Sequence, residues 1–334
     1  MINVTSSLRV QAVPLYRPTD LTHIHYAVEV YKDTGGNVLE TDGWELLTTY
    51  TESNGYFGAA YKNDKNKHII ISHRGTQDLR DWQTNLDLMT RRLNSQEASA
   101  WYVFSRQIIK DNGPNYSYSF TGHSLGGWLA QICLWNYHDE FVKDQYSLYK
   151  DSFAITLEEP GAKEILEELQ PRIEVGYRID VNKLDITSYL SYPNIANTVL
   201  GHVGSVYALF PNVQDLSWLQ YHTIGYTLKT HSKDLLINEF NQKTGLPNNC
   251  VRVIDWPKIT FGNPSPSSNN TKSILGYIGQ ALKAYIIGDV QRGEYTGFYN
   301  FTSSEINNPE SLPPASQFQL KHGIHYQVKN FSEK

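Results

Sequence analysis

The sequence predicts an α/β protein, a mostly parallel central sheet flanked by helices, with a C-terminal extension. Three observations carry this reading. Strand-like and helix-like segments alternate through the first half of the chain, the order that builds a parallel sheet through helical crossovers. One helix in that alternation is apolar nearly all round, so it is expected to be buried. After about Val253 the text turns rich in Pro, Ser and Asn, which closes the main domain. The expected division is a main domain over residues 1–255 and a linker with a helical extension over residues 256–334.

Each element follows from local pattern. Gly55 to Tyr61 is short and aromatic and runs into the polar turn Lys62 to Lys67, which suits a hairpin. His68 to Ser72 is a β-branched run of the kind buried on both faces of a sheet. Trp82, Leu86 and Met89 make one helical stripe, and Trp101, Phe104 and Ile108 make another, stopped by Asn112-Gly113-Pro114. Tyr116 to Thr121 alternates as a strand, and the apolar helix Leu125 to His138 follows a glycine-rich turn. Phe153 to Leu157 and Glu174 to Val181 are further strand candidates, with a short helix from Ala162 to Leu169 between them. Pro257 to Lys272 reads as the linker, and Ser273 to Ile287 as an apolar helix expected to pack on the main sheet.

Composition narrows the function. The chain has 334 residues, 40% of them hydrophobic and 19% charged, enough to bury a sizeable core. Lys plus Arg less Asp plus Glu is 29 − 34 = −5, so there is no basic field to hold a nucleic-acid backbone. Cys133 and Cys250 are the only cysteines, too few for a disulfide framework or a structural zinc site. No transmembrane stretch and no signal peptide is legible, so the expected location is cytoplasmic or reached by non-classical secretion.

Chemistry enters at Gly122-His123-Ser124-Leu125-Gly126-Gly127. A G-x-S-x-G alone is a weak signal. Here it follows a predicted strand and opens a predicted helix, the context in which a serine sits on a sharp turn with its hydroxyl raised above the sheet. Small residues two before and two after the serine let the backbone turn that tightly. The helix start supplies free N–H groups and a positive dipole end, both favourable to an oxyanion.

A second segment agrees. His73-Arg74-Gly75-Thr76 follows the His68 to Ser72 strand, and Asp81-Trp82 opens the next helix. Together with the Gly122 to Gly127 segment, these residues resemble the class 3, fungal-lipase-like branch of the α/β-hydrolase fold. The resemblance spans roughly residues 25 to 247 and departs from the family at His73, usually phenylalanine, and at Asn85, where aspartate is common. It implies that Ser124 is the nucleophile and that Thr76 and the Leu125 N–H form the oxyanion hole. Arg74 reads as a structural residue of the strand end.

A hydrolase serine needs a histidine to take its proton and a carboxylate to hold that histidine. Their chain order in this fold is Ser, then Asp or Glu, then His. The acid should lie just past a strand, at the sheet edge that carries Ser124. Val181-Asn182-Lys183-Leu184-Asp185-Ile186 resembles the family pattern that assigns the acid to Asp185, whereas Asp180 would lie within the strand. His231, at the start of a last helical pattern, fits the family setting of the base; His222 is the alternative. His202 matches a family segment whose histidine is not catalytic, and His123 is expected to pack beside the nucleophile.

The expected activity is a serine hydrolase cleaving carboxylic esters through an acyl-enzyme, with no metal or organic cofactor. The resemblance implies a lipid ester, an acylglycerol or phospholipid, and leaves interfacial membrane contact open. Leu79, Trp82, Leu86, Leu88 and Met89 fall where the family carries a lid. A thioesterase or amidase with the same triad, and a non-catalytic lipid- or protein-binding module, remain the alternatives.

Overall fold

In the computed structural model, residues 16–75, 95–142, 147–169, 179–191, 194, 196–209, 211, 229–248, 250–253 and 256 are described. Among them, eight strands form one sheet in sequential order. They are β1 (Glu45–Thr51), β2 (Phe57–Asn63), β3 (His68–His73) and β4 (Ser117–His123). The remainder are β5 (Phe153–Leu157), β6 (Ile186–Leu190), β7 (Ser205–Leu209) and β8 (Cys250–Val253). Strands β3 to β7 run parallel; β1, β2 and β8 are antiparallel to their neighbours. This is the mostly parallel sheet that the alternating pattern predicts.

Period-two alternation sorts the side chains into two layers. On one face Ile69, Ile71, Tyr118, Phe120, Ala154 and Ile186 join a core that also holds helix residues. These come from α2, which runs Ser95–Ala98, then as a π-helix over Ser99–Ser105, then Arg106–Asn112. They also come from α3 (Leu125–Tyr137) and α4 (Lys163–Leu169). Trp101, Phe104 and Ile108, the predicted stripe of α2, lie in this core. In α3 every residue but Asn136 is buried, as an all-round apolar helix requires.

The opposite face meets α1 (Asp20–Glu29), a helix with no forecast in the sequence reading, and α5 (Lys233–Leu236). Thr19 caps α1 by accepting the Thr22 N–H at 3.2 Å. Ile24 then packs with Phe153, Ile155, Leu157 and Leu236, while Tyr26 and Val30 pack with Phe57, Tyr61 and Ile70.

A buried polar chain ties α1 to the sheet. A carbonyl only accepts, so His23 carries its proton on Nδ1 and donates to Thr19 O at 3.0 Å. Its Nε2 therefore accepts from the Ser119 hydroxyl at 2.8 Å. That oxygen in turn accepts from His68 Nε2 at 2.8 Å. His23 must be neutral for this chain to close, and burial depresses both imidazoles, His23 to about 4.

The predicted β2–β3 hairpin is present with Asn63 opposite His68, and β4, β5, α3 and α4 stand where the pattern puts them. Most of the strand expected over Glu174 to Val181 lies outside the described residues. Val181–Lys183 is a 3-10 turn, and the strand that joins the sheet is β6, beyond it. The helix expected at Trp82 to Met89, the lid residues and the extension after residue 256 lie outside the described residues.

Candidate functional site

The centre of the site is the turn between β4 and α3. Ser124 adopts φ 59°, ψ −131°, a conformation in which non-glycine residues are strained. Its N–H donates to Leu157 O at 2.9 Å, which anchors the turn to the end of β5. The flanking glycines leave no room for substitution. A Cβ on Gly122 would lie 2.3 Å from the Gly126 carbonyl carbon, and one on Gly126 would lie 2.0 Å from His73 O. The strained serine, the closely packed glycines and the thirteen-residue helix behind them make the sharp strand-to-helix turn, or elbow, that the sequence pattern predicts.

The strand end carrying the second motif lies against the elbow. A Cβ on Gly75 would sit 2.4 Å from the Tyr31 hydroxyl oxygen and 2.5 Å from His123 O. Arg74 is held away from the chemistry, bonded to Asp33 at 2.8 Å and stacked 4.6 Å over the Phe57 ring. Thr76 itself lies outside the described residues, as does His222. Leu125 is the first residue of α3, so its N–H belongs to the helix's electropositive end.

His231 meets the elbow from a different segment. His123 Nε2 donates to His231 O at 2.8 Å, and the two rings are 4.7 Å apart. His123 Nδ1 accepts from the Tyr31 hydroxyl at 2.9 Å. Burial, followed by the nearby His231, holds His123 well below the ordinary histidine range. It is therefore a neutral link between the Ser124 turn and the His231 segment.

The group at His231 Nδ1 is Glu158 Oε2, 3.3 Å away. Glu158 directly follows β5, is 0% exposed, and stands at φ 54° in the left-handed region. Its N–H donates to Tyr189 O at 2.9 Å, so the residue is fixed at the sheet's edge. Its carboxylate accepts from the Ser191 N–H, from Asn194 Nδ2 at 2.9 Å and from Asn197 Nδ2 at 3.2 Å.

Asp185 does not meet His231. It precedes β6 and is level with the start of β5, since Ala154 N–H donates to Asp185 O at 2.9 Å. The elbow lies at the other end of the parallel strands, beside Leu157. Four residues at ~3.3 Å each separate the two levels by about 13 Å. The Asp185 carboxylate instead pairs with Arg17 at 2.5 Å, half exposed to solvent. The 3-10 turn at Val181–Lys183 precedes Asp185, which stands at the beginning of β6, at the edge of the parallel sheet away from Ser124.

Glu158 had a signal in the sequence, a carboxylate immediately after the Phe153 to Leu157 strand and between Ser124 and His231 in chain order. His202 donates through Nε2 to Asn197 O at 2.8 Å, inside the loop that carries the carboxylate's amide donors. Among the described residues no group of three or more His, Cys, Asp and Glu side chains could hold a metal ion.

No protein-family model matches the sequence. An uncharacterized protein of Rickettsia prowazekii (strain Madrid E) is 26% identical over 228 residues, 64% of this chain and 60% of that protein. The match thus spans less than two thirds of that relative's length. Lipase II from Rhizopus niveus aligns at 16% identity and TM-score 0.40, over 57% of this chain and 77% of its own. A triacylglycerol lipase whose catalytic centre is described as a serine protease triad aligns at 16% identity and TM-score 0.42, over 68% and 95%. The Lip2 lipase of Yarrowia lipolytica aligns at 18% identity and TM-score 0.36, over 57% and 75%.

Proposed function

We propose that this protein is a serine hydrolase that cleaves carboxylic esters of lipids, acylglycerols or phospholipids, through an acyl-enzyme. The observation that carries the hydrolase reading is Ser124, held at φ 59° on a strand-to-helix turn, with His231 packed against the adjoining His123. A strained serine at that place serves no folding purpose that glycine would not serve better. The lipid substrate rests on the family resemblance of the motifs.

In the reaction Ser124 Oγ attacks the acyl carbonyl carbon while His231 takes its proton. The tetrahedral oxyanion is received by the Leu125 N–H and by Thr76, each such donor contributing about 3–4 kcal/mol to the transition state. Collapse expels the alcohol, which leaves with the proton from His231. Water, deprotonated by the same imidazole, attacks the acyl-serine and releases the acid. Neutral His123 spares His231 a like charge next to its ring at the moment it becomes an imidazolium.

The test is hydrolysis of p-nitrophenyl esters from acetate to palmitate, with and without detergent micelles, by wild type, Ser124→Ala and His231→Ala. The expected result is an active wild type and loss of several orders of magnitude in both variants. Equal rates in wild type and Ser124→Ala would end the reading. Activity on the long chains only with micelles would support the lipid substrate.

A further inference from the structure

We infer that Glu158, at the end of β5, is the carboxylate that positions His231, and that its seat spans two strands so that Asn194 can exchange roles with it. The inference deepens the serine-hydrolase reading and rests on it, since it names the group behind the base.

The local backbone argues first. A turn at φ 54° is served by glycine or asparagine, and a glutamate there adds strain without helping the turn. Burial argues next. A carboxylate with no solvent exposure is costly unless donors and a countercharge surround it. Glu158 has the donors, from Ser191, Asn194 and Asn197. All of them are neutral amides, so among the described partners the group able to become a countercharge is His231, whose Nδ1 faces Oε2 at 3.3 Å. That arrangement fixes the proton of neutral His231 on Nδ1, turns Nε2 toward accepting, and favours the imidazolium once it forms. Asp185, paired with Arg17 at the opposite edge, offers none of this.

The exchange with Asn194 follows from where the donors converge. Asn194 lies just beyond β6, the strand next to β5. Its Nδ2 is 2.9 Å from Oε2, the same oxygen that His231 faces. It also reaches Thr230 Oγ1, in the residue before His231, at 3.3 Å. Carboxylate and carboxamide are nearly isosteric. Replacing Glu158 by glutamine and Asn194 by aspartate moves the charge across one existing hydrogen bond, to a group that shares Oε2 with His231.

The experiment compares wild type, Asp185→Asn, Glu158→Gln and the double variant Glu158→Gln/Asn194→Asp, with a thermal melt for each. Two quantities are read: kcat and KM on a p-nitrophenyl ester, and the low-field Nδ1–H resonance of His231 in protein with nitrogen-labelled histidine. The expected outcome for Glu158→Gln is a fall in kcat of about a thousandfold or more with KM little changed. Its His231 resonance moves upfield. The double variant regains about tenfold or more in kcat over Glu158→Gln, and Asp185→Asn matches wild type in both readouts.

Wild-type kcat and resonance in folded Glu158→Gln would overturn the inference, as would loss of either in Asp185→Asn. A double variant no better than Glu158→Gln overturns the exchange. If Glu158→Gln does not fold, Glu158→Asp withdraws the carboxylate by one methylene and must lower kcat and move the resonance. A wild type inactive on every ester, with a resonance that still answers to Glu158→Gln, refutes the hydrolase reading and leaves the Glu158–His231 pair standing.

Discussion

Acid should unfold this protein through His23, and the size of the effect follows from one buried hydrogen-bond chain. His23 is 0% exposed. It donates to Thr19 O and accepts from Ser119, so protonating its second nitrogen would set two donors against each other. Burial is the first cause of its depression from 6.5 to about 4, and the nearby Arg17 charge adds to it. Above pH ~6.5 the imidazole is neutral in both folded and unfolded chains and stability does not depend on it. Between about 6.5 and about 4 the unfolded chain binds a proton that the folded chain refuses, and stability falls by ~1.4 kcal/mol per pH unit. The loss is about 2 kcal/mol at pH ~5 and about 3 kcal/mol once the folded pKa is reached.

The perturbation is His23→Gln, which removes the titration while keeping an amide that can bond the same partners. Its packing cost is common to all pH values and cancels in a difference. Urea unfolding of both proteins at pH ~7 and ~5 gives that difference, expected to be about 2 kcal/mol less pH-dependent in the variant. His68, which shares the Ser119 hydroxyl and is held low mainly by burial, steepens the wild-type curve further. An equal fall in stability in the two proteins would refute the argument, because the folded state would then accept the proton at His23.

Three further outcomes follow from the backbone and the surface. Ser124→Gly relieves the positive φ at the elbow, and is expected to raise stability by about 1 kcal/mol while abolishing ester hydrolysis, read as a thermal melt beside an activity assay. Gly126→Ala sets a Cβ 2.0 Å from His73 O, so α3 must move off β3; circular dichroism and a melt should show a fold lost or severely weakened. Arg17→Ala breaks an ion pair whose partners are 41% and 54% exposed, so it should cost no more than about 1 kcal/mol and leave kcat unchanged.

How far the sequence reaches is seen by comparing Ser124 with the acid. The elbow was legible because every constraint on it is local: a strand, glycines that admit no side chain, and a helix within one stretch of chain. The helices α2 and α3 were legible for the same reason, since their apolar stripes are written in consecutive turns. The strands β1, β7 and β8 and the helix α1 were not. Leu46 in β1 is 37% exposed, and α1 interrupts its apolar face with His23 and His25, whose polar atoms find partners only in the folded protein.

Asp185, which the sequence reading names as the acid, stands apart from His231 for a reason of topology. The sequence reading expects a strand over Glu174 to Val181, ahead of Asp185, whereas among the described residues the strand next to β5 is Ile186 to Leu190, which begins after Asp185. In a parallel sheet that difference of a few residues is the difference between opposite edges of the molecule. The motif pattern at Asp185 could not correct this, because it constrains spacing along the chain and not direction across the sheet. What does constrain direction is adjacency. Strand β5 is the immediate neighbour of β4, in register from Phe153 opposite Ser119 to Leu157 opposite His123. The residue after Leu157 must therefore emerge beside the residue after His123, and those two residues are Glu158 and Ser124.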